Sequence, residues 1–269
     1  MKEIFAASIY VGLLFLWGSV ILDFVFTGRI ASYLHPFFHP WAAVGGFVLL
    51  ALGAYLISLL LNPLRPHFGF TIYAFKPFGR WSLLRLLILV LPLATLAIFS
   101  PNQFSENFLL QRGIKTSPSD LQFADDPFSS RAGSNAESYQ DFEKKLPKNA
   151  SGALVITPLD VFYASQIEEM RDQLENKDVE ILGQFLPFNS HTQPAGKFQI
   201  IRMFVICCAA DAIPLAVQCI FEEPIDFPSL SWLKAMGKIL FPIENGELKP
   251  TLQVKEVKTI EAPIEKFIY

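Results

Sequence analysis

Long runs without a charge dominate the first 110 residues: no Asp, Glu, Lys or Arg occurs over 4–22, 30–64 or 86–105. A bilayer's hydrocarbon core is about 30 Å thick and takes about 20 apolar residues of helix to cross. Lipid offers no partner to bare peptide groups, so helix is the form such runs adopt. The pattern predicts three transmembrane helices, Ile4–Leu22, Trp41–Leu61 and Leu83–Phe99. The second is stopped by Asn62-Pro63, and Pro92 is expected to bend the third by removing a backbone hydrogen bond. Arg85, in the first turn of the third, has a stem long enough to reach the headgroups. The first run outlasts the usual apolar core of a signal peptide, and no small-x-small cleavage site precedes Asp23. It reads as a retained anchor.

Beyond the third run the pattern changes. Residues 111–150 are rich in Ser, Asp and Pro with scattered aromatics, a composition that buries too little apolar surface to fold alone. They read as a flexible linker with a short helix near Ser138–Lys145. Within 151–269, Pro158–Asn176 carries Val161, Ile167, Met170 and Leu174 at helical spacing among charges. Five stretches then read as strands: Val179–Leu186, Phe198–Cys208, Pro214–Phe221, Leu233–Phe241 and Thr251–Ile260. One helix and five strands in so short a segment point to a small closed, OB-like barrel. The expected organisation is a three-span region (1–110), a linker (111–150) and a mainly-β domain (151–269).

Composition supports the first part of this picture. The chain of 269 residues is 52% hydrophobic and only 17% charged, against about 25% charged in soluble domains. Basic residues between the second and third spans (Arg65, Lys76, Arg80) outnumber Arg29 in the loop between the first two. Basic loops stay in the cytoplasm. The N-terminus is therefore expected inside and the C-terminal domain outside the membrane. Residues 151–269 hold 10 Lys and Arg against 16 Asp and Glu. That acidic balance excludes phosphate-driven nucleic-acid binding, which depends on Lys and Arg displacing counterions.

The second span carries small residues at packing spacing, with Ala42, Gly46, Ala54 and Ser58 on one row and Gly45 and Gly53 on the next. Such rows let helix backbones approach closely. The helix they meet is either another span of this chain or a separate membrane protein. No ionisable residue sits mid-span, where pumps and transporters place their proton or ion carriers. The spans therefore suit an accessory subunit better than a solitary channel.

Candidate chemistry gathers at two places. Cys207 and Cys208 are adjacent at an expected strand end, Asp211 follows, and Cys219 lies on the next strand. Neighbouring strand residues face opposite sides, so both thiols cannot point inward without a bulge. Three readings stand: buried thiols filling the barrel, a disulfide to Cys219 in an oxidising compartment, or a thiolate site for a soft divalent metal or redox partner, assisted by Asp211 or His191. The spacing is not C-x-x-C, the usual zinc signature. The second place is the loop after the first span, with Asp23, Arg29, Tyr33, His35 and His39. It reads either as an interfacial aromatic belt or as a proton or metal contact through the imidazoles. The chain contains no nucleophile elbow, P-loop, H-E-x-x-H or dinucleotide fingerprint, and no enzymatic activity is expected.

Several segments together resemble one bacterial family. They are Gly28 with Tyr33-Leu-His35-Pro36, Arg112-Gly113-Ile114, RMFVICCAADAIPLAV (202–217) and the closing APIEKFIY. The resemblance is to YcgQ-like membrane proteins, and it implies a subunit that works beside a separate multi-span permease in a two-component complex of unknown solute. The lead expectation is such an accessory subunit, in contact with the lipid bilayer and its permease. The alternative is a membrane-tethered metal- or thiol-handling module built on Cys207, Cys208 and Asp211.

Overall fold

The computed structural model describes residues 2–61, 84, 87–92, 95, 106–116, 141–187, 196–244, 246–263 and 265–269. The chain divides into two compact units, Met1–Gln103 with Cys207–Ala209, and Phe104–Ile206 with Ala210–Tyr269.

The first unit is built on α1 (Lys2–Phe26) and α2 (His39–Leu61). Two stretches are long and apolar enough to cross a membrane, Ser8–Phe26 within α1 and Pro36–Leu59, which runs from the turn before α2 into it. They pack on each other through glycine: a Cβ on Gly53 would fall 2.8 Å from the Phe15 ring, and one on Gly46 would fall 2.9 Å from Leu22. Gly46 and Gly53 therefore face α1, whereas Gly45 has nothing within 4 Å and Ala54 and Ser58 are exposed. Part of the small-residue surface is thus used inside the chain. The outer flank of α2 presents Trp41, Phe47 and Val48, each more than half exposed. The third expected span, Leu83–Phe99, lies mostly outside the described residues.

α1 stops at Gly28, whose φ of 72° is a left-handed conformation that glycine takes without steric cost. Two 3₁₀ turns, Arg29–Ser32 and Pro36–Phe38, then carry the chain into α2.

The second unit contains α3 (Glu106–Arg112), α4 (Phe142–Lys145), α5 (Pro158–Gln166) and α6 (Glu168–Leu174). Its strands are β1 (Leu154–Ile156), β2 (Asp178–Pro187), β3 (Lys197–Phe204), β4 (Ile213–Ile220), β5 (Trp232–Leu240), β6 (Ile243–Glu244), β7 (Glu247–Leu248) and β8 (Thr251–Thr259). Strands β2-β3-β4-β8-β5 follow one another and β5 pairs back with β2, closing a five-stranded barrel. All of these pairings are antiparallel except β4 with β8. β1 adds to β2 in parallel, and β6 and β7 form a small hairpin.

Closure bends the sheet at a bulge between Met236 and Gly237, where a Cβ on Gly237 would meet the Gln253 carbonyl oxygen at 2.0 Å. The interior is filled by alternate residues such as Val179, Ile181, Ile200, Val217, Leu233, Ala235 and Leu252. Val161, Met170 and Leu174 of α5 and α6 pack into the same core.

Where one helix was expected over Pro158–Asn176, there are two. Ile167 takes extended angles (φ −110°, ψ 112°), ending α5 and opening α6. α5 begins with a capping box: the Thr157 hydroxyl accepts from Asp160 N–H, and the Asp160 carboxylate accepts from Thr157 N–H.

The expected linker is structured at both ends. Leu109 of α3, before it, is 1% exposed and packs with Leu186, Ile201, Met203 and Ala216, a burial worth about 2 kcal/mol. Lys115 pairs with Leu215 on the edge of β4, its N–H donating to the Pro214 carbonyl. At the far end, α4 supplies the short helix expected near Ser138–Lys145. Residues 117–140 lie outside the described residues.

Candidate functional site

β3 ends at Phe204, four residues short of the expected Cys208. The cause is at the barrel's end. Val205 N–H leaves the ladder and donates to the Ile268 carbonyl, and opposite Met203 stands Pro214, which has no N–H to give. The chain then turns through Ile206–Cys208 and a 3₁₀ turn, Ala209–Asp211, before β4 begins. Cys207 and Cys208 are therefore off the sheet, and the inside-or-outside alternation of a strand does not govern them.

That turn gathers chemistry. The Sγ atoms of Cys207 and Cys208 are 3.6 Å apart. Together with a carboxylate oxygen of Asp211 they form a group whose ligand atoms all lie within 4.8 Å of one another. Asp211 Oδ1 accepts a hydrogen bond from Ile206 N–H at 3.0 Å, which fixes the carboxylate against the turn. Cys207 is exposed; Cys208 and Asp211 are half-buried.

Backbone bonds hold the cysteine segment to the loop that joins α1 and α2. Leu34 and Cys208 form an antiparallel bridge, His35 N–H donates to the Cys207 carbonyl at 3.0 Å, and Ala209 N–H donates to the Tyr33 carbonyl at 2.7 Å. His35 Nδ1 accepts from Phe37 N–H at 3.1 Å, capping the second 3₁₀ turn. His39 Nε2 lies 3.0 Å from the Leu34 carbonyl, a contact that requires its N–H. Both imidazoles shape the loop. Asp23 accepts through its carbonyl from Thr27, Arg29 lies over the Phe24 ring at 4.5 Å, and Tyr33 packs its ring against Phe24.

Cys219 is elsewhere. It pairs with Phe198 at the opposite end of β3 from Phe204, six residues or about 20 Å of strand away. It is 1% exposed within the barrel core, where burial pushes its thiol far up. A disulfide needs Cα atoms within about 7 Å, so the Cys219 bridge is excluded, and none of the three cysteines forms a disulfide. The buried-thiol reading holds for Cys219 and not for its two neighbours. His191 lies outside the described residues.

Three of the stretches that carried the family resemblance, Arg112-Gly113-Ile114, the segment from Arg202 and the closing tail, meet at the end of the barrel. Arg202 donates to the Glu265 carbonyl, Ile268 N–H donates to Met203, and Arg112 donates to the Ala212 carbonyl at 3.4 Å. Phe267 and Ile268 are buried there. Burial lowers the Arg202 guanidinium from its ordinary value. This convergence gives the closing APIEKFIY a structural purpose.

Sequence reasoning did not single out a second feature, a groove of about 400 Å³ on the barrel wall. Its floor holds Glu180, 8% exposed, which accepts from Asn149 Nδ2 at 2.7 Å and pairs with Lys234 at 3.0 Å. Lys258 stands opposite Lys234 across β5–β8 and pairs with Glu256. These residues are scattered through the sequence and share no local motif, so only the register of β2, β5 and β8 brings them together.

The family described as DUF1980 C-terminal domain matches residues 134–269, half of the chain. The chain belongs to the DUF1980 C-terminal domain family. The matched residues take in the barrel, the cysteine turn and the closing tail, which marks these as the DUF1980 part of the molecule. No curated protein matches it. Among solved structures, a DUF3299 family protein from Pseudomonas aeruginosa PAO1 is similar at 14% identity and a TM-score of 0.25, covering 33% of this chain and 64% of that one. A Leishmania major Friedlin protein, provisionally called an aspartyl-tRNA synthetase, is similar at 13% identity and a TM-score of 0.25, covering 48% of this chain and 26% of that one. The chain thus spans less than two thirds of either, and neither likeness bears on fold or function.

Proposed function

We propose that this DUF1980 protein is the accessory subunit of a two-component permease complex, multi-pass in a bacterial plasma membrane, with its N-terminus in the cytoplasm and its barrel outside. The observation that carries this reading is the helix pair. α1 and α2 shield each other along a single glycine-lined flank and leave large apolar residues of α2 uncovered. Neither helix has an ionisable residue at mid-span, so the pair offers no polar route of its own. Such helices suit contact with lipid and with another membrane protein. The resemblance to YcgQ-like proteins supplies the kind of partner, a separate multi-span permease.

The barrel suits a presenting or gating role. Its strand order, with β4 parallel to β8, supports an OB-like reading. Its excess of acidic residues argues against the oligonucleotide binding common among such barrels. Purification of the full chain in mild detergent tests the proposal: a stoichiometric multi-span partner is expected, and a chain that always purifies alone overturns it.

The cysteine turn favours a second reading, a membrane-tethered module that handles a metal or a thiol. Two thiols and a carboxylate within 4.8 Å are a donor set rather than core filling. Metal analysis of the full-length protein, before and after Cys208→Ser, tests it. Absence of both bound metal and thiol exchange in the unaltered protein would end this reading.

A further inference from the structure

We infer that Cys207, Cys208 and Asp211 form an exchangeable site for a borderline divalent cation, zinc, with its fourth position open to an incoming ligand. The inference rests on the second reading above and names the ion that this reading leaves unspecified.

The spacing of the donors suits a tetrahedral ion without rearrangement of the two thiols. Zinc binds thiolate at about 2.3 Å in tetrahedral geometry, which sets two thiolates on one ion roughly 3.7 Å apart. The Sγ atoms of Cys207 and Cys208 are 3.6 Å apart. A linear two-thiolate ion with bonds of similar length would hold its sulfurs roughly 4.6 Å apart, twice the bond. The third donor points the same way. A carboxylate oxygen suits zinc, whereas soft cuprous copper favours sulfur alone.

The surroundings of the donors are those of a held site. Ile206 N–H donates to Asp211 Oδ1 at 3.0 Å, the kind of outer contact that orients a ligating group. The Cys207 carbonyl and the Ala209 N–H are both bonded to the Tyr33–His35 segment, which fixes the backbone on either side of Cys208. Structural zinc sites close with four protein ligands, and sites with three leave one position for another group. Here three donors converge, and Cys207 is exposed to solvent. An ion can therefore enter and leave without unfolding the barrel. On binding, each thiol releases its proton to water and forms one sulfur–zinc bond. No electron is transferred.

The experiment uses the full-length protein in detergent, reduced, with cobalt(II) as the visible stand-in for zinc. One equivalent of cobalt should give a thiolate-to-metal charge-transfer band that stoichiometric zinc abolishes. Cys207→Ser and Cys208→Ser should each remove the band and weaken zinc binding at least tenfold. Asp211→Asn should keep the band and weaken zinc about tenfold, and Cys219→Ser should change neither. Alkylating the exposed thiols of the unaltered protein should remove the band as the Ser variants do, which covers the case of a variant that fails to fold. Copper(I) held by the two cysteines without zinc binding, and without effect of Asp211→Asn, overturns the zinc assignment and leaves the metal-handling reading standing. Failure to bind either ion, with no thiol exchange, overturns both.

Discussion

A Cβ placed on Gly18 would lie 2.9 Å from the Gly46 carbonyl oxygen, so the backbones of α1 and α2 touch at this pair. Helices in lipid have no hydrophobic drive to associate, and close backbone packing takes its place. Gly18→Leu is expected to force them apart at a cost of about 1–3 kcal/mol, the usual range for overpacking. Thermal melting of the full chain in detergent should register the loss. Gly45→Leu, on a face with nothing within 4 Å, should melt like the parent. Equal losses from the two substitutions would show that the helices do not meet through Gly18.

The three cysteines should separate by reactivity. Cys207 is exposed and Cys208 half-buried, while Cys219 is 1% exposed with its thiol pushed far up by burial. The thiolate is the reactive form. In the reduced native protein a maleimide should add at two sites, and in denaturant at three, counted by intact mass. Native labelling of Cys219 would contradict the closed barrel.

The five barrel strands were legible because each is a run of apolar and β-branched residues between turn-forming stretches, and the observed ends lie within one or two residues of expectation except at Phe204. There the deciding partners are distant in sequence: Ile268 takes the Val205 N–H that would have continued the strand. The break at Ile167 was not legible, since Val161, Ile167, Met170 and Leu174 keep helical spacing straight through it. β1 escaped notice because Leu154–Ile156 is too short to show a period. Leu109 illustrates another limit, for α3 is brief and what it covers, Ile201 and Met203, lies far along the chain. The cysteine turn was read from residue types alone, and its membership of Cys207, Cys208 and Asp211 was within reach of the sequence. Its bridge to Leu34 was not, because backbone pairing between distant loops leaves no local pattern.

Gly237 tests barrel closure. Its missing side chain leaves room for the Gln253 carbonyl, which a Cβ would approach to 2.0 Å. The obstacle is backbone, so no rotamer change relieves it. Gly237→Ala should lower the denaturation midpoint by an amount equivalent to about 1–3 kcal/mol, or prevent the barrel from forming. A midpoint equal to that of the parent would mean that β5 and β8 do not approach this closely.

Asp160 sets two effects against each other. Thr157 donates to its carboxylate from both N–H and Oγ–H at 2.7 Å, which favours the ion. Burial at the start of α5 disfavours it and prevails, so the carboxyl is raised above its ordinary 3.8. The folded state then holds this proton more tightly than the unfolded chain. Its contribution to stability is complete below 3.8 and is lost as pH rises through the higher folded value. Asp160→Asn keeps an oxygen to accept from Thr157 N–H and removes the titration. The stability of the parent relative to this variant should therefore fall with rising pH across that window, by no more than about 1.4 kcal/mol per pH unit, and be flat above the folded value. Melting followed by the sheet's circular-dichroism signal measures it. A difference that grows with pH instead would show that the Thr157 hydrogen bonds outweigh desolvation, and that the capping box is strongest with the carboxylate charged.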